Sequence, residues 1–132
     1  TLNALTAADQ LIIPVQAHYL PVKGLEQLLR TVNKVQRQLN PSLKISGILM
    51  TMVDGRTNFS REVSQLVRSA YGKAIRVFDT EPRGIRAAEM SAEGVSIFRF
   101  EPSSSVAKAY ERFTKEVLYY EKRCEKHSDL QL

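Results

Sequence analysis

The sequence predicts an α/β fold built on a mainly parallel sheet. Three observations carry this. Ile45 to Val53 is a near-continuous run of β-branched and long apolar residues, the habit of a strand buried on both faces. That run breaks sharply into Asp54-Gly55-Arg56-Thr57-Asn58, a polar turn in which Thr57 or Asn58 can cap a following helix. Apolar runs of strand length also alternate with segments of helical periodicity, the order of a parallel sheet with right-handed crossovers. In such sheets ligands bind at the carboxyl ends of the strands.

Taken in order, Thr1 to Asp9 reads as the end of a helix, with Leu2, Leu5 and Ala8 at helical spacing. Leu11-Ile12-Ile13-Pro14-Val15 is a short buried strand that Pro14, having no N–H for a ladder, is expected to end. Gln16 to Pro21 is a strand-end loop holding His18 and Tyr19. Lys23 to Leu39 is a helix with Leu25, Leu28, Leu29, Val32, Val35 and Leu39 on one face, stopped by Asn40-Pro41. After the Ile45–Val53 strand, Asn58 to Tyr71 is a helix with Phe59, Val63, Leu66, Val67 and Ala70 inward, ended by Gly72. Ala74 to Phe78 is a third strand. Asp79 to Gly94 is a long connection, with one helical turn expected near Ile85 to Met90. Val95 to Phe100 reads as a short edge strand. Pro102 and Ser103 to Ser105 open a final helix with a serine N-cap. Its apolar stripe is Val106, Tyr110, Phe113, Val117, Tyr120 and Cys124, read as core packing rather than a dimer seam. Residues 125–132 are a polar tail expected to fray.

The 132 residues suffice for one domain, and the 43% hydrophobic and 25% charged fractions are those of an ordinary globular chain. No apolar run is long enough to span a membrane, and the first residues do not form a signal peptide. Thr1 is not a methionine, so an upstream segment is to be expected. The single cysteine fits a reducing cytoplasm. The net charge of +5 is uneven. Residues 56–86 carry seven basic groups against three acidic ones, whereas the five basic and five acidic groups of residues 111–132 cancel. The basic stretch suits a polyanion such as duplex DNA. Charge alone leaves open the plainer reading of a solvated face with no partner.

Several chemistries are absent. No Walker A loop (G-x-x-x-x-G-K-[ST]) and no G-x-G-x-x-G occurs among the six scattered glycines. His18 and His127 are the only histidines, and neither has a companion at metal-ligand spacing. No catalytic residue and no metal ligand is assigned. Cys124 reads as a small core residue and His18 as a loop histidine. What remains are two strand-end loops, Met52 to Asn58 and Asp79 to Arg86. If their strands are neighbours, the two loops share one edge of the sheet.

At these residues a resemblance emerges. The ordered series Leu5-Thr6-Ala7-Ala8-Asp9, Ile12-Ile13-Pro14-Val15-Gln16-Ala17, Lys23-Gly24-Leu25-Glu26-Gln27-Leu28-Leu29, Leu39-Asn40-Pro41, Ile48-Leu49-Met50-Thr51-Met52, Asp54-Gly55-Arg56-Thr57-Asn58, Val77-Phe78-Asp79-Thr80 and Pro82-Arg83 with Ile85-Arg86 and Glu89 resembles the C-terminal half of ParA/Soj-type partitioning ATPases, of the MinD/ParA branch of P-loop NTPases. The likeness runs from about Thr1 to about Leu118 and places residues 1–124 in that C-terminal portion.

The resemblance implies a three-layer, P-loop NTPase-like sandwich without its P-loop. It implies an ATP- and Mg2+-dependent dimer that binds DNA non-specifically and works with a ParB-type partner in chromosome or plasmid segregation, cytoplasmic and nucleoid-associated, with no membrane role. Walker A and Walker B motifs have no counterpart here, so this chain alone is expected to be inactive and to bind no nucleotide tightly. Residue by residue, Met52 and Asp54 match the segment lining the adenine pocket, and Pro82 and Arg83 match a loop packed on the base, with Gly84 where the family has asparagine. Arg56 and Arg86 match arginines that contribute to DNA binding. A half-fold is also expected to leave the Ile45–Val53 strand edge uncovered and so to self-associate. The alternatives are a stand-alone, non-enzymatic DNA-binding or dimerisation module of the same origin, or an unrelated flavodoxin-like binding protein.

Overall fold

Two parallel strands with helices packed on one face form the first part of the molecule. The structure is a computed structural model and describes residues 1–17, 22–53, 57–78 and 94–128, excepting the side chains of residues 22 and 124–128. These residues divide into two units, Thr1–Val77 and Phe78–Leu132.

In the first unit α1 (Leu2–Ala7) leads into β1 (Gln10–Gln16), α2 (Val22–Gln38), β2 (Lys44–Thr51) and α3 (Asn58–Tyr71). β1 and β2 pair in parallel, Ile13 beside Ile48 and Val15 beside Met50, with one irregularity between Leu11 and Ile12. Pro14 lies inside β1 rather than ending it. The amide of Ala17 donates to the Thr51 carbonyl at 3.0 Å. Alternation along the strand therefore turns the odd-numbered amides toward β2 and leaves Pro14 on the side that needs no donor.

β2 is flanked on its other side by Val77, which bridges Ile48 in parallel, and the Ile48 amide donates to the Arg76 carbonyl at 2.8 Å. Two expectations change here. The Ala74–Phe78 strand is reduced to that bridge, because Ala74 and Ile75 both donate back to the Tyr71 carbonyl and prolong the helix end. The Ile45–Val53 strand is also not the uncovered one: among the described residues the open edge belongs to β1.

The face carrying Ile13, Val15, Ile48 and Met50 receives both α2 and α3, through Leu25, Leu28 and Leu29 from the first and Val63 and Val67 from the second. Consecutive right-handed crossovers moving in one direction across a sheet place their helices on the same face. A second cluster of Leu5, Val32, Val35 and Leu43 ties α1 to α2. Leu39, expected on the inner face of α2, stands 52% exposed beyond the helix end. On α3 the buried positions are Ser60, Val63, Ser64 and Val67, while Phe59 and Leu66 are 47% and 44% exposed and Ala70 is exposed too. The inward stripe is thus turned from the predicted one toward two small serines.

Gly72 ends α3 for a steric reason. Its backbone is ordinary right-handed helix (φ −62°), and a Cβ there would lie 2.4 Å from the Arg68 carbonyl oxygen.

In the second unit α4 (Ile97–Phe100) precedes α5 (Ser105–Ser128). The predicted Val95–Phe100 strand is this short helix. Phe100 and Glu101 donate to the carbonyls of Ser96 and Ile97 at 2.9 Å, a local closure that lets Ile97 bury against Val106 and Ala107 of α5. A strand would instead need a ladder partner, and among the described residues none pairs with this segment. Ser104 caps α5, accepting from the Ala107 amide at 3.1 Å. The predicted stripe is the covered side of α5: Val106 is buried and Tyr110, Phe113, Val117 and Tyr120 are partly so. Phe113 meets Phe78 edge-on at 4.9 Å between centroids. α5 continues to Ser128 and so takes in the first four residues of the predicted tail. No described helix is long and apolar enough to cross a membrane.

Candidate functional site

The carboxyl ends of β1 and β2 coincide, since Gln16 registers with Thr51. They are held there by the Ala17 amide on the Thr51 carbonyl and by the Thr51 hydroxyl directed at the Val15 carbonyl, 3.4 Å away. Immediately beyond, Met52 adopts a left-handed backbone with φ +54° and is 54% exposed, whereas the next residue, Val53, is 2% exposed and joins the core. A non-glycine residue held left-handed costs about 1–2 kcal/mol. At this place the cost is met by anchoring on both sides: the β1 ladder before Met52 and the buried Val53 after it. The result is a flexible apolar side chain presented to solvent at the strand's carboxyl end. This geometry could not be read from sequence, because methionine carries no preference for positive φ.

The helix that follows starts at Asn58, with Thr57 in the capping position and an extended backbone there (φ −101°, ψ 131°). The geometry chooses Thr57 over Asn58 for that position, although its side chain makes no capping hydrogen bond to the helix. Asn58 instead accepts from Arg61 Nη2 at 2.9 Å. Of the sequence-predicted base-side residues, Met52 is therefore at the strand end, while Asp54, Pro82 and Arg83 lie outside the described residues, as do the predicted DNA-binding residues Arg56 and Arg86. So do His18 and the whole of the Asp79–Arg86 loop, and the predicted helical turn near Ile85–Met90. Cys124 is on α5, but its side chain is outside the described set.

Four of the seven bases of residues 56–86 can be placed. Arg61, Lys73 and Arg76 are exposed. Arg68 is partly buried, and its Nη1 is 3.4 Å from the Val77 carbonyl, which links α3 to the end of the sheet. Arg68 thus has a structural task as well as a charge. Among the described residues no three His, Cys, Asp or Glu side chains come together as a metal site. Among the described residues the shifted titration is that of Glu111 on α5, whose carboxyl is held below the usual carboxylate range by the hydrogen bond and charge of Lys115. That pair is exposed to solvent, where an i,i+4 ion pair contributes little to stability.

The sequence model of a family described as an AAA domain matches residues 1–45. The chromosome-partitioning ATPase Soj of Thermus thermophilus is 43% identical over 119 residues, which are 89% of this chain and 47% of that protein. The chromosome partitioning protein ParA of Caulobacter vibrioides is 35% identical over 123 residues, 92% of this chain and 45% of that protein. Among solved structures, cobyrinic acid a,c-diamide synthase from Mycobacterium smegmatis with bound ADP and magnesium superposes with a TM-score of 0.70 at 33% identity, covering 91% of this chain and 42% of that one. The fold is accordingly α/β with a parallel sheet, of the P-loop NTPase-like kind. The chain spans a little under half the length of the curated relatives it matches. Over about nine-tenths of its length the chain is 35–43% identical to relatives that are Soj/ParA chromosome-partitioning ATPases.

Proposed function

We infer that this chain is the C-terminal part of an ATP-dependent DNA-partitioning protein, the part that lines the base side of the nucleotide and faces DNA. The observation that carries the reading is its 43% identity to a chromosome-partitioning ATPase over nearly its whole length. In this reading Met52, Asp54, Pro82 and Arg83 line the adenine, and Arg56 and Arg86 contact the phosphate backbone of duplex DNA without regard to sequence. The exposed, left-handed Met52 supports the first assignment: an apolar side chain fixed at the carboxyl end of a parallel strand is where a base can stack. The working protein is an ATP-switched dimer using Mg2+, stimulated by a ParB-type partner, in the cytoplasm on the nucleoid, moving chromosomes or plasmids. The ADP and magnesium of the M. smegmatis structure support that choice of cofactor. The chain alone neither binds ATP tightly nor hydrolyses it, because phosphate contacts carry affinity and catalysis in such enzymes.

The test joins residues 1–132 behind the P-loop-bearing half of the Thermus relative. ATP turnover with Mg2+ is expected. Arg56→Ala with Arg86→Ala in that protein should weaken duplex binding equally across sequences and flatten its salt dependence. Absence of turnover would instead favour the stand-alone module that binds DNA or dimerises without enzymatic activity. Unchanged DNA affinity and slope would remove the two arginines from the DNA face.

A further inference from the structure

Met52 breaks the alternation of its own strand. Successive side chains of a strand point to opposite faces, so residues 48, 50 and 52 belong on one side. Ile48 and Met50 obey this, both fully buried on the face that receives α2 and α3. Met52 would be the next of the series. Its left-handed backbone ends the alternation, and Val53 takes the inward place instead, in the same cluster as Ile48 and Met50. Two methionines two residues apart therefore have opposite surroundings, Met50 at 0% exposure and Met52 at 54%.

The difference is chemical as well as geometric. A methionine thioether is a soft nucleophile that peroxides oxidise, and solvent access governs which sulfur reacts. The sulfur attacks one oxygen of hydrogen peroxide: the S–O bond forms as the O–O bond breaks, the sulfur is oxidised by two electrons and the peroxide is reduced. The hydroxide that leaves takes the proton of the new S–O–H group and departs as water. The product is a sulfoxide, polar and chiral where the thioether was apolar. At Met50 that group would lie within the cluster of Ile13, Val15, Ile48 and Val67, a polar dipole buried in the core. At Met52 it would stand in water, between a strand end tied by the Ala17 amide on the Thr51 carbonyl and the buried Val53, and would cost the fold little.

We propose that Met52 is a site of reversible sulfoxide formation by hydrogen peroxide, and that its oxidation weakens the hold on nucleotide while leaving the fold intact. The effect on nucleotide rests on the reading above, in which Met52 lines the adenine; the selectivity for Met52 over Met50 does not. A thioether against a base face keeps an apolar contact, whereas a sulfoxide oxygen placed there gives up its water without a partner. Reversal takes a thiol reductant and a methionine sulfoxide reductase for each epimer: the sulfoxide oxygen leaves as water while two thiols become a disulfide. The turn at Met52 creates the site, since a regular strand would carry this side chain inward after Met50 and shield it from peroxide.

The test treats the folded 132-residue chain with graded hydrogen peroxide and follows each methionine peptide by mass spectrometry. Met52 should gain one oxygen about 10-fold or more faster than Met50, and the Met52-oxidised chain should unfold within about 2 °C of the parent. Equal rates at the two residues, or loss of the folded state as Met52 is oxidised, overturns the proposal. In the joined protein described above, the same treatment should raise KM for ATP about 5-fold or more, and the two reductases with dithiothreitol should restore it. A joined protein carrying Met52→Leu should show one KM before and after treatment, whatever its own value. Unchanged KM with Met52 oxidised, or an equal rise in the leucine variant, overturns the proposal. Absence of turnover before any peroxide is added is a different failure: it overturns the nucleotide reading, and the effect of oxidation on nucleotide falls with it.

Discussion

Asn40 Nδ2 donates to the carbonyl oxygen of Ala8 at 2.8 Å, across 32 residues of chain, and to that of Leu5 at 3.1 Å. In the sequence Asn40 reads only as a helix stop before Pro41. In the fold it ties the end of α1 to the end of α2, while its own amide returns to the Val35 carbonyl at 2.8 Å. The same side chain accepts from the Ser42 hydroxyl at 2.8 Å.

Asn40→Ala leaves two part-buried carbonyls without this donor. A cost of about 1–3 kcal/mol is expected, read as a lowered urea midpoint with an unchanged slope. A midpoint equal to that of the parent would mean that water replaces the amide without loss.

The inner face of α3 separates two readings of the same helix. Val67 is fully buried and Phe59 is 47% exposed. Val67→Ala should destabilise by about 2 kcal/mol through lost burial and a residual cavity. Phe59→Ser should change stability by no more than about 0.5 kcal/mol. Thermal unfolding of both variants decides it, and the reverse ranking would restore the stripe that periodicity suggests.

Met52 offers a test of backbone strain at the candidate nucleotide edge. Met52→Gly should raise stability by about 0.5–1 kcal/mol, because glycine adopts φ +54° without a Cβ penalty. Met52→Val, β-branched, should lower it. If the glycine variant is less stable than the parent, the methionine side chain holds the turn through packing rather than standing free in solvent.

Much of the architecture was legible because it rests on short-range chemistry. The Leu25–Val35 stripe of α2, the apolar run of β2 and the serine cap of α5 each follow from neighbouring residues, and each is found in place. The candidate site was legible only through the ordered motifs that resemble partitioning ATPases, which named Met52 but could not show how its backbone lies. Asp54, Arg56, Pro82, Arg83 and Arg86 remain assigned by that resemblance.

Long-range packing decided the rest. Val95 to Phe100 has β-type residues, yet burying Ile97 on α5 takes one helical turn and no ladder partner. The 74–78 segment has strand composition, yet its pairing is limited by what reaches Ile48. Phe59 and Leu66 obey helical period, but the side of α3 that is covered carries Ser60 and Ser64 beside Val63 and Val67 instead. A sum over residues 111–132 reads as neutral, since a linear count ignores the turn of about 100° per residue that gathers Arg112, Lys115, Lys122 and Arg123 on one side of α5. Periodicity fixes which residues share a face; only the assembled fold chooses which face is covered.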